Sequence, residues 1–527
     1  MSFTILEFFL FLLLTLVVYY LLPKKFRWIW LLIVSLVYYV SFGVKKIVFV
    51  LWQTMVVYLA TRLIDKQARQ GKAYLASHKA DMSSEEKKAY KAKLKKKKKI
   101  TIFFMLLATF ISLCGIKYTD FAILNVNFLI EKLGRSLIIP TFNFVAPIGI
   151  SFFTFQTASY VIDVYWGKVE VEKNPFKLML FVCFFPQILE GPIGRFQTLG
   201  KQLFEGNDYN LKNIQFGLQR ILFGLAKKLI IADRSAAYVN KVFANPAAYG
   251  GWYDILAVLL YCAELYADFS GGMDLVIGIA QMLGITMDEN FRQPFFSKSI
   301  GEFWRRWHIT LGTWMKDYIF YPFSLSKVAA NIGKWSKKHF GEAGKKLPVC
   351  IADLIIFFIV GVWHGAAWKY IAYGMYNGLI MAVSVLLEPV YKKFFEVTHI
   401  KKKSAPWQFW MIIRTFILVN IGWYFDMSPT VRSAIFMMKD SFNFASNKIS
   451  LLGIEKAGMS LKDLIIVAIA CLVLLIISIF KERGVLIREK IASFHLPIRW
   501  FIYYALIACV ILFGYTNGTS AFMYANF

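Results

Sequence analysis

An all-α, polytopic membrane fold is predicted by three observations. Apolar runs recur from one end of the chain to the other, the mean hydropathy is +0.53, and the positive charge is gathered into a few loops. The 527 residues are 58% hydrophobic and 17% aromatic, with a formal net charge of +29. The runs lie near residues 3–22, 26–43, 47–63, 100–117, 143–162, 176–190, 213–231, 252–283, 349–363, 366–388, 408–425, 463–480 and 498–514. Several approach the ~20 residues that a spanning helix needs. The shorter ones read as re-entrant or broken, which is tolerated only where protein or water covers the backbone. Roughly 11–13 spanning or re-entrant helices are expected around a central tunnel, with amphipathic helices lying in the membrane plane.

Lysine and arginine cluster at 24–27, 87–99, 327–346, 392–403 and 481–490. Positive loops stay inside, so these segments are assigned to the cytoplasm, and counting passes from them places both termini outside. Nucleic acid is excluded as the partner, because the lysines lie between spans without interleaved aromatics and suit anionic lipid. The first run has no preceding basic residues and no small-residue cleavage site, so it reads as a retained span. Cys114, Cys183, Cys262, Cys350, Cys471 and Cys509 are scattered singly and read as buried thiols, with no metal-ligand spacing. Charge and composition divide the chain at 1–99 (first spans and a Lys-rich insert), 100–390 (a core) and 391–527 (last spans and an aromatic tail).

Residues 66–99 are rich in Ala, Lys and Glu and should be helical. From Pro147 to Lys168 an apolar run is threaded with Ser151, Thr154, Gln156, Thr157, Ser159 and Asp163, a composition suited to helix–helix contact. In F-P-Q-I-L-E-G-P-I-G-R, prolines and glycines break a span and leave Gln187, Glu190 and Arg195 near membrane depth, as a structural ion pair or as a functional site. Between 261 and 284, Glu264, Asp268 and Asp274 stand in membrane-grade sequence with Gly271–Gly272 as a break. The two aspartates could bind a cation. The preferred reading is that they hold the Arg305–Arg306 segment, because a hard cation needs more oxygen ligands.

Gly301 to Pro322, G-E-F-W-R-R-W-H-I-T-L-G-T-W-M-K-D-Y-I-F-Y-P, is the most informative stretch. Ser299 and Glu302 form a capping-box pattern that starts a helix near Ile300, and Pro322 should stop it. Trp304, Trp307, Leu311, Trp314 and Tyr318 then share one face, and Arg305, His308 and Gly312 an adjacent stripe, with Gly312 leaving room for the imidazole. An interfacial aromatic anchor is the plain alternative. Further on, G-V-W-H-G puts His364 between glycines at the end of a short run, hence at membrane depth. His78, His339, His399 and His495 lie in or beside basic loops, which leaves His308 and His364 as candidate catalytic groups. A neutral imidazole is suited to take a hydroxyl proton near neutral pH.

W-R-R-W-H-I-T-L-G-T-W-M-K-D-Y followed by G-V-W-H-G resembles the membrane-bound O-acyltransferases, in the bacterial branch of alginate O-acetyltransferase and teichoic acid D-alanyl transferase. P-I-G-I-S-F-F-T-F-Q-T-A-S-Y-V-I-D, F-P-Q-I-L-E-G-P-I-G-R and Y-A-D-F-S-G-G-M-D-L-V-I-G follow that branch in order, over roughly Pro140 to Asn377. The chain departs from it at Pro322-Phe-Ser-Leu-Ser-Lys and at Gly312 and Lys316, which leaves the acceptor polymer open. The resemblance implies that His364 is the family histidine and His308 its branch partner. It implies acyl transfer from a cytoplasmic thioester, acetyl-CoA or an acyl-carrier protein, with no tightly bound cofactor and no metal. The substrate-binding residues expected with them are Trp304, Arg305, Arg306, Trp307, Asp317, Trp363, Gln187, Glu190, Arg195, Asp268, Asp274 and Asn377. His308 or a Trp N–H would stabilise the thioester oxyanion. Phe522, Tyr524 and Phe527 are expected to dock an extracytoplasmic SGNH-type transferase that serves a surface polysaccharide. A transporter or scramblase, or a non-catalytic recruiting subunit, is the competing class.

Overall fold

The computed structural model describes residues 3–144, 146–444, 449–515 and 522–523. Among these the regular structure is helical, apart from one antiparallel bridge between Phe291 and Trp307. Packing divides the chain into two units. One holds described residues 3–217 with Ile279–Asp288, and the other Leu218–Gly278 with described residues 289–523.

The first unit contains α1 (Leu6–Leu21), α2 (Lys24–Val40), α3 (Ile47–Ser77), α4 (Ser84–Lys117), α5 (Thr119–Lys132), α6 (Ile150–Trp166), α7 (Pro175–Cys183), α8 (Lys201–Glu205) and the start of α9 (Leu211–Ala226). The insert is helical because α3 runs on to Ser77 and α4 starts early, at a capping box in which Ser83 and Glu86 satisfy each other's backbone N–H groups. After α7 the chain is irregular and buried as far as Gly194. Gln187 holds this segment by donating to Pro192 O (2.6 Å) and to Gln156 Oε1 on α6 (3.1 Å). Gly149 starts α6 with φ 75°, and a Cβ there would lie 1.9 Å from the Ile188 carbonyl oxygen, so only glycine fits.

The second unit continues with α10 (Asp233–Ala244), α11 (Trp252–Met282, its last turn in the first unit), α12 (Ile300–Arg306), α13 (Ile309–Met315), α14 (Tyr321–Ser324) and α15 (Lys327–Gly344). Then come α16 (Leu347–His364), α17 (Trp368–Leu386), α18 (Glu388–Thr398), α19 (Ala405–Met427), α20 (Val431–Asp440), α21 (Leu451–Lys456), α22 (Leu461–Glu482), α23 (Ile487–Ala492) and α24 (Leu496–Phe513). Among the described residues, six helices are long and apolar enough to cross a membrane: Val44–Ser77, Ser84–Lys117, α11, α16, α22 and α24. A seventh crossing arises if α17 and α18, bent by 58°, count as one. Of the other apolar runs, 408–425 lies in the 23-residue α19, which is less apolar than these six.

Three expectations change. α11 is unbroken at Gly271–Gly272, because Gly271 serves a close crossing: a Cβ there would lie 2.9 Å from Gly224 O on α9. The stretch from Ile300 to Pro322 is not one helix. It breaks at Trp307–His308, and Pro322 does not stop it: from Ile309 the backbone stays helical through a wide turn at Lys316–Phe320 and into α14, which ends at Ser324. α16 begins at Leu347, so its 18 residues suffice for a crossing and His364 is its final residue.

α16 and α17 cross with their backbones nearly touching. A Cβ on Gly374 would lie 2.1 Å from Phe357 O, and one on Gly361 2.4 Å from Tyr370 O. Small residues permit this approach where lipid supplies no hydrophobic drive between helices. Gly374→Ala should therefore separate the pair and cost about 1–3 kcal/mol by overpacking. A lower thermal midpoint of the detergent-purified protein, followed by size-exclusion fluorescence, is the expected result.

Candidate active site

His308 is held by a turn that its own helix cannot make. Its backbone is left-handed (φ 47°, ψ 52°), a strained region for a side chain of this size. The strand-like segment 290–292 fixes it: Arg292 N–H donates to Arg306 O (2.9 Å) and Ile309 N–H to Asn290 O (3.0 Å). Asn290 Oδ1 accepts from the Thr310 backbone N–H (3.0 Å) and from the Thr310 hydroxyl (3.0 Å), which identifies it as the carbonyl oxygen. His308 Nδ1 lies 3.3 Å from the same oxygen, so Nδ1 carries the proton and Nε2 the lone pair in the neutral ring. The expected oxyanion-donor role does not suit this tautomer, in which Nε2 is an acceptor.

His364, 3% exposed, is brought to the same place by the α16–α17 crossing. The Trp363 indole contacts both imidazoles, with ring centroids 5.5 Å from His308 and 5.1 Å from His364. Phe269 meets the His308 ring edge-on at 4.8 Å, and Tyr373 meets His364 at 5.5 Å. Behind them Tyr373 stacks on Trp423 (5.6 Å), which packs on Trp307 (5.5 Å). Trp304 Nε1–H donates to Asn377 Oδ1 (3.2 Å), and Asn377 Nδ2 donates to Tyr373 O (2.9 Å). The expected residues His308, His364, Trp304, Trp307, Trp363 and Asn377 therefore form one aromatic-walled cluster within the second unit. Gly312 does not relieve the imidazole; its missing Cβ faces Trp304 O at 3.4 Å.

The charged residues have other partners. Arg306 makes ion pairs with Glu302 (2.7 Å) and with Glu482 at the end of α22 (2.7 Å), while Arg305 is exposed. Asp274 pairs with Arg220 (2.8 Å) and Lys227 (2.6 Å), and Asp268 with Lys228 (2.6 Å), which also meets Asp233 (2.9 Å). The aspartates thus bind α9–α10 and the wide turn between them to α11, not the Arg305–Arg306 segment. Asp317 lies in a wide helical turn after α13. Gln187, the fully buried Glu190 and the half-buried Arg195 belong to the first unit. Phe522 is 3% exposed with Lys228 Nζ 4.7 Å above its ring, and Met523 N–H donates to Asp268 Oδ2 (2.8 Å). Phe522 is therefore part of the protein interior and not an exposed docking residue. Tyr524 and Phe527 lie outside the described residues. Among the described residues, no group of three or more His, Cys, Asp or Glu side chains is placed to hold a metal ion.

Two further side chains belong to the site. The role of Asn290 rests on a contact 18 positions away along the chain. Asp426, near the end of α19, carries no motif at all, yet its Oδ1 lies 3.9 Å from His364 Nδ1.

Fold and site together define a helical membrane protein with two buried imidazoles about one indole. The profile of MBOAT, the membrane-bound O-acyltransferase family, matches residues 169–335. The chain is 31% identical over 374 residues to a probable alginate O-acetylase, AlgI, of Azotobacter vinelandii, covering 69% of this chain and 68% of that protein. It is 33% identical over 370 residues to the probable alginate O-acetylase AlgI of Pseudomonas syringae pv. tomato, covering 68% of this chain and 65% of the relative. A teichoic acid D-alanyltransferase of Bacillus subtilis is 29% identical over 301 residues, 54% of this chain and 69% of that one. The chain belongs to the membrane-bound O-acyltransferase family. Its match spans slightly less than two thirds of the Pseudomonas syringae relative.

His308 lies outside the candidate spans, and burial, with His364 nearby, holds its pKa well below 6.5. Below that pH the unfolded chain takes up a proton that the folded site refuses, so the folded state loses stability as pH falls through 6.5. The thermal midpoint should drop between about pH 7.5 and about pH 5.5. His308→Asn, which tolerates the left-handed backbone, should flatten that slope in the same measurement.

Proposed function

We propose that this chain is a transmembrane O-acyltransferase that moves an acetyl group from a cytoplasmic thioester to a hydroxyl outside. The donor is acetyl-CoA or an acyl-carrier thioester. The acceptor is an extracellular polysaccharide, or the serine of an extracytoplasmic SGNH-type partner that passes the group on. The observation that carries this reading is the pair of buried imidazoles against Trp363 in a chain of this family. Similarity to proteins named alginate O-acetylase favours acetyl and a polysaccharide. D-alanyl transfer from a carrier protein to teichoic acid is the second reading, favoured by the Bacillus relative. In this reading the protein lies in the cell membrane with both termini outside and its lysine-rich loops in the cytoplasm, as the positive-inside rule favours.

In this reading His364 takes the acceptor hydroxyl proton as the oxygen attacks the thioester carbonyl. The C–O bond forms, the C–S bond breaks, and the thiolate leaves with the proton returned from the imidazolium. The Nδ1–H of His308 is committed to Asn290, so His308 serves as a second proton acceptor, and an indole N–H is the better oxyanion donor. General acid–base assistance is worth about 10²–10⁴ in rate, so its loss is severe without harming the fold.

The test uses the protein in vesicles with labelled acetyl-CoA, or labelled D-alanyl carrier, supplied on one side and polysaccharide on the other. His364→Ala should lower transfer by at least about 10²-fold while inserting and purifying normally. His308→Ala should lower transfer severely and leave weak donor hydrolysis. Absence of transfer from either donor by the wild type would overturn the reading, and wild-type turnover by His364→Ala would end the role given to that residue.

A further inference from the structure

We infer that Asp426 is the positioning residue of His364, and that Tyr261 in turn holds Asp426. The inference deepens the acyltransferase reading and rests on it. Asp426 is 5% exposed and lies near the end of α19, with its carboxylate between α11 and α16. The Tyr261 hydroxyl on α11 donates to Oδ2 at 2.7 Å. Lys369 Nζ donates to the Asp426 backbone carbonyl at 3.0 Å, which fixes the main chain from the start of α17. The remaining oxygen, Oδ1, has no hydrogen bond and faces His364 Nδ1 at 3.9 Å. The titratable groups facing this carboxylate are thus Tyr261, His364, Lys369 and, through its electrostatic influence, Tyr370.

A carboxylate accepts and cannot donate, so the imidazole nitrogen turned to it is the one that carries hydrogen. That assigns the proton of neutral His364 to Nδ1 and the lone pair to Nε2, the nitrogen left to take a hydroxyl proton. The gap is about 1 Å longer than a hydrogen bond, and catalytic hydrogen bonds of this kind tighten as the reacting complex forms. Once protonated, the imidazolium is stabilised by a carboxylate already held in place, which costs no reorganisation at the moment of transfer. His308 has the same arrangement from a different group, since Asn290 Oδ1 faces its Nδ1. Both imidazoles are therefore presented through Nε2, one oriented by a neutral carboxamide and the other by an acid.

Asp426→Asn is the same size but can offer N–H to His364 Nδ1, which would move the imidazole proton to Nε2 and block its acceptor role. With the reconstituted protein and the donor that the wild type uses, Asp426→Asn should lower kcat by about 10²-fold, with donor KM and thermal midpoint close to wild type. Asp426→Glu should recover part of the loss. Tyr261→Phe frees Oδ2 without removing the acid, should lower kcat by roughly 3- to 10-fold at unchanged KM, and decides the question if Asp426→Asn does not fold. Wild-type kcat in Asp426→Asn, or in Tyr261→Phe where the first variant fails, overturns the inference. So does a loss of kcat that only tracks a lowered thermal midpoint. His364→Ala measured alongside separates the two levels. Inactivity of that variant beside a fully active Asp426→Asn removes the positioning role and leaves the acyltransferase reading standing, whereas an inactive wild type removes the reading itself.

Discussion

The near-contact of two helix backbones at Gly361 and Gly374 is the constraint on which the site depends. At this crossing α17 comes so close to α16 that no side chain fits between them. The approach sets the His364 ring among Tyr370, Tyr373 and Trp363 and turns its Nδ1 towards α19. A wider crossing, of the kind that Leu or Val at these positions would enforce, would carry the imidazole away from Asp426 and from the His308 turn. The glycines beside the histidine therefore act on it indirectly, through helix packing.

The second imidazole is seated by a different device. A helix would have carried its residues from Ile300 onward in regular register, and His308 would then have pointed where an i+4 residue points. Asn290 prevents this by offering both its backbone carbonyl and its side-chain oxygen to residues 308–310. The cost of a left-handed histidine is offset by these bonds, and a burial of 98% keeps water from competing for them. Behind the two rings the aromatic side chains of Tyr373, Trp423 and Trp307 pack in series. Proton transfer between neutral groups is favoured in such a setting, where a lasting charge is poorly solvated.

Charge is handled separately from this cluster. Lys227 and Lys228 sit in a wide helical turn between α9 and α10, and their ammonium groups are met by Asp274, Asp268 and Asp233. Such pairs are weak evidence of net stability, but removing one partner leaves a buried charge, so they fix the register of the helices they join. The segment at Phe522 and Met523 closes over the same pairs. A tail that looks like an exposed aromatic anchor in one dimension is, in its described part, the cover of an ionic seam.

The sequence by itself determined the helical membrane class, because runs of apolar residues and lysine-rich loops are local quantities that lipid reads directly. It also singled out His308 and His364, since each lies in an apolar, Trp-bearing stretch unlike the basic loops of the other histidines. It misplaced what depends on partners far along the chain. Helical periodicity ran through residues 300–322 because it could not see Asn290, and Gly271–Gly272 read as a break because the matching Gly224 lies in another helix. The sequence pattern joined Asp268 and Asp274 to Arg305–Arg306, whereas crossing geometry gives the aspartates Lys228, Arg220 and Lys227 and gives Arg306 Glu302 and Glu482. Asp426 shows the limit most clearly: it lies 165 residues from Tyr261, and no pattern along the chain marks it. Only the tertiary packing of α11, α16 and α19 makes that carboxylate a neighbour of His364, because a side chain's chemistry is set by what surrounds it in space.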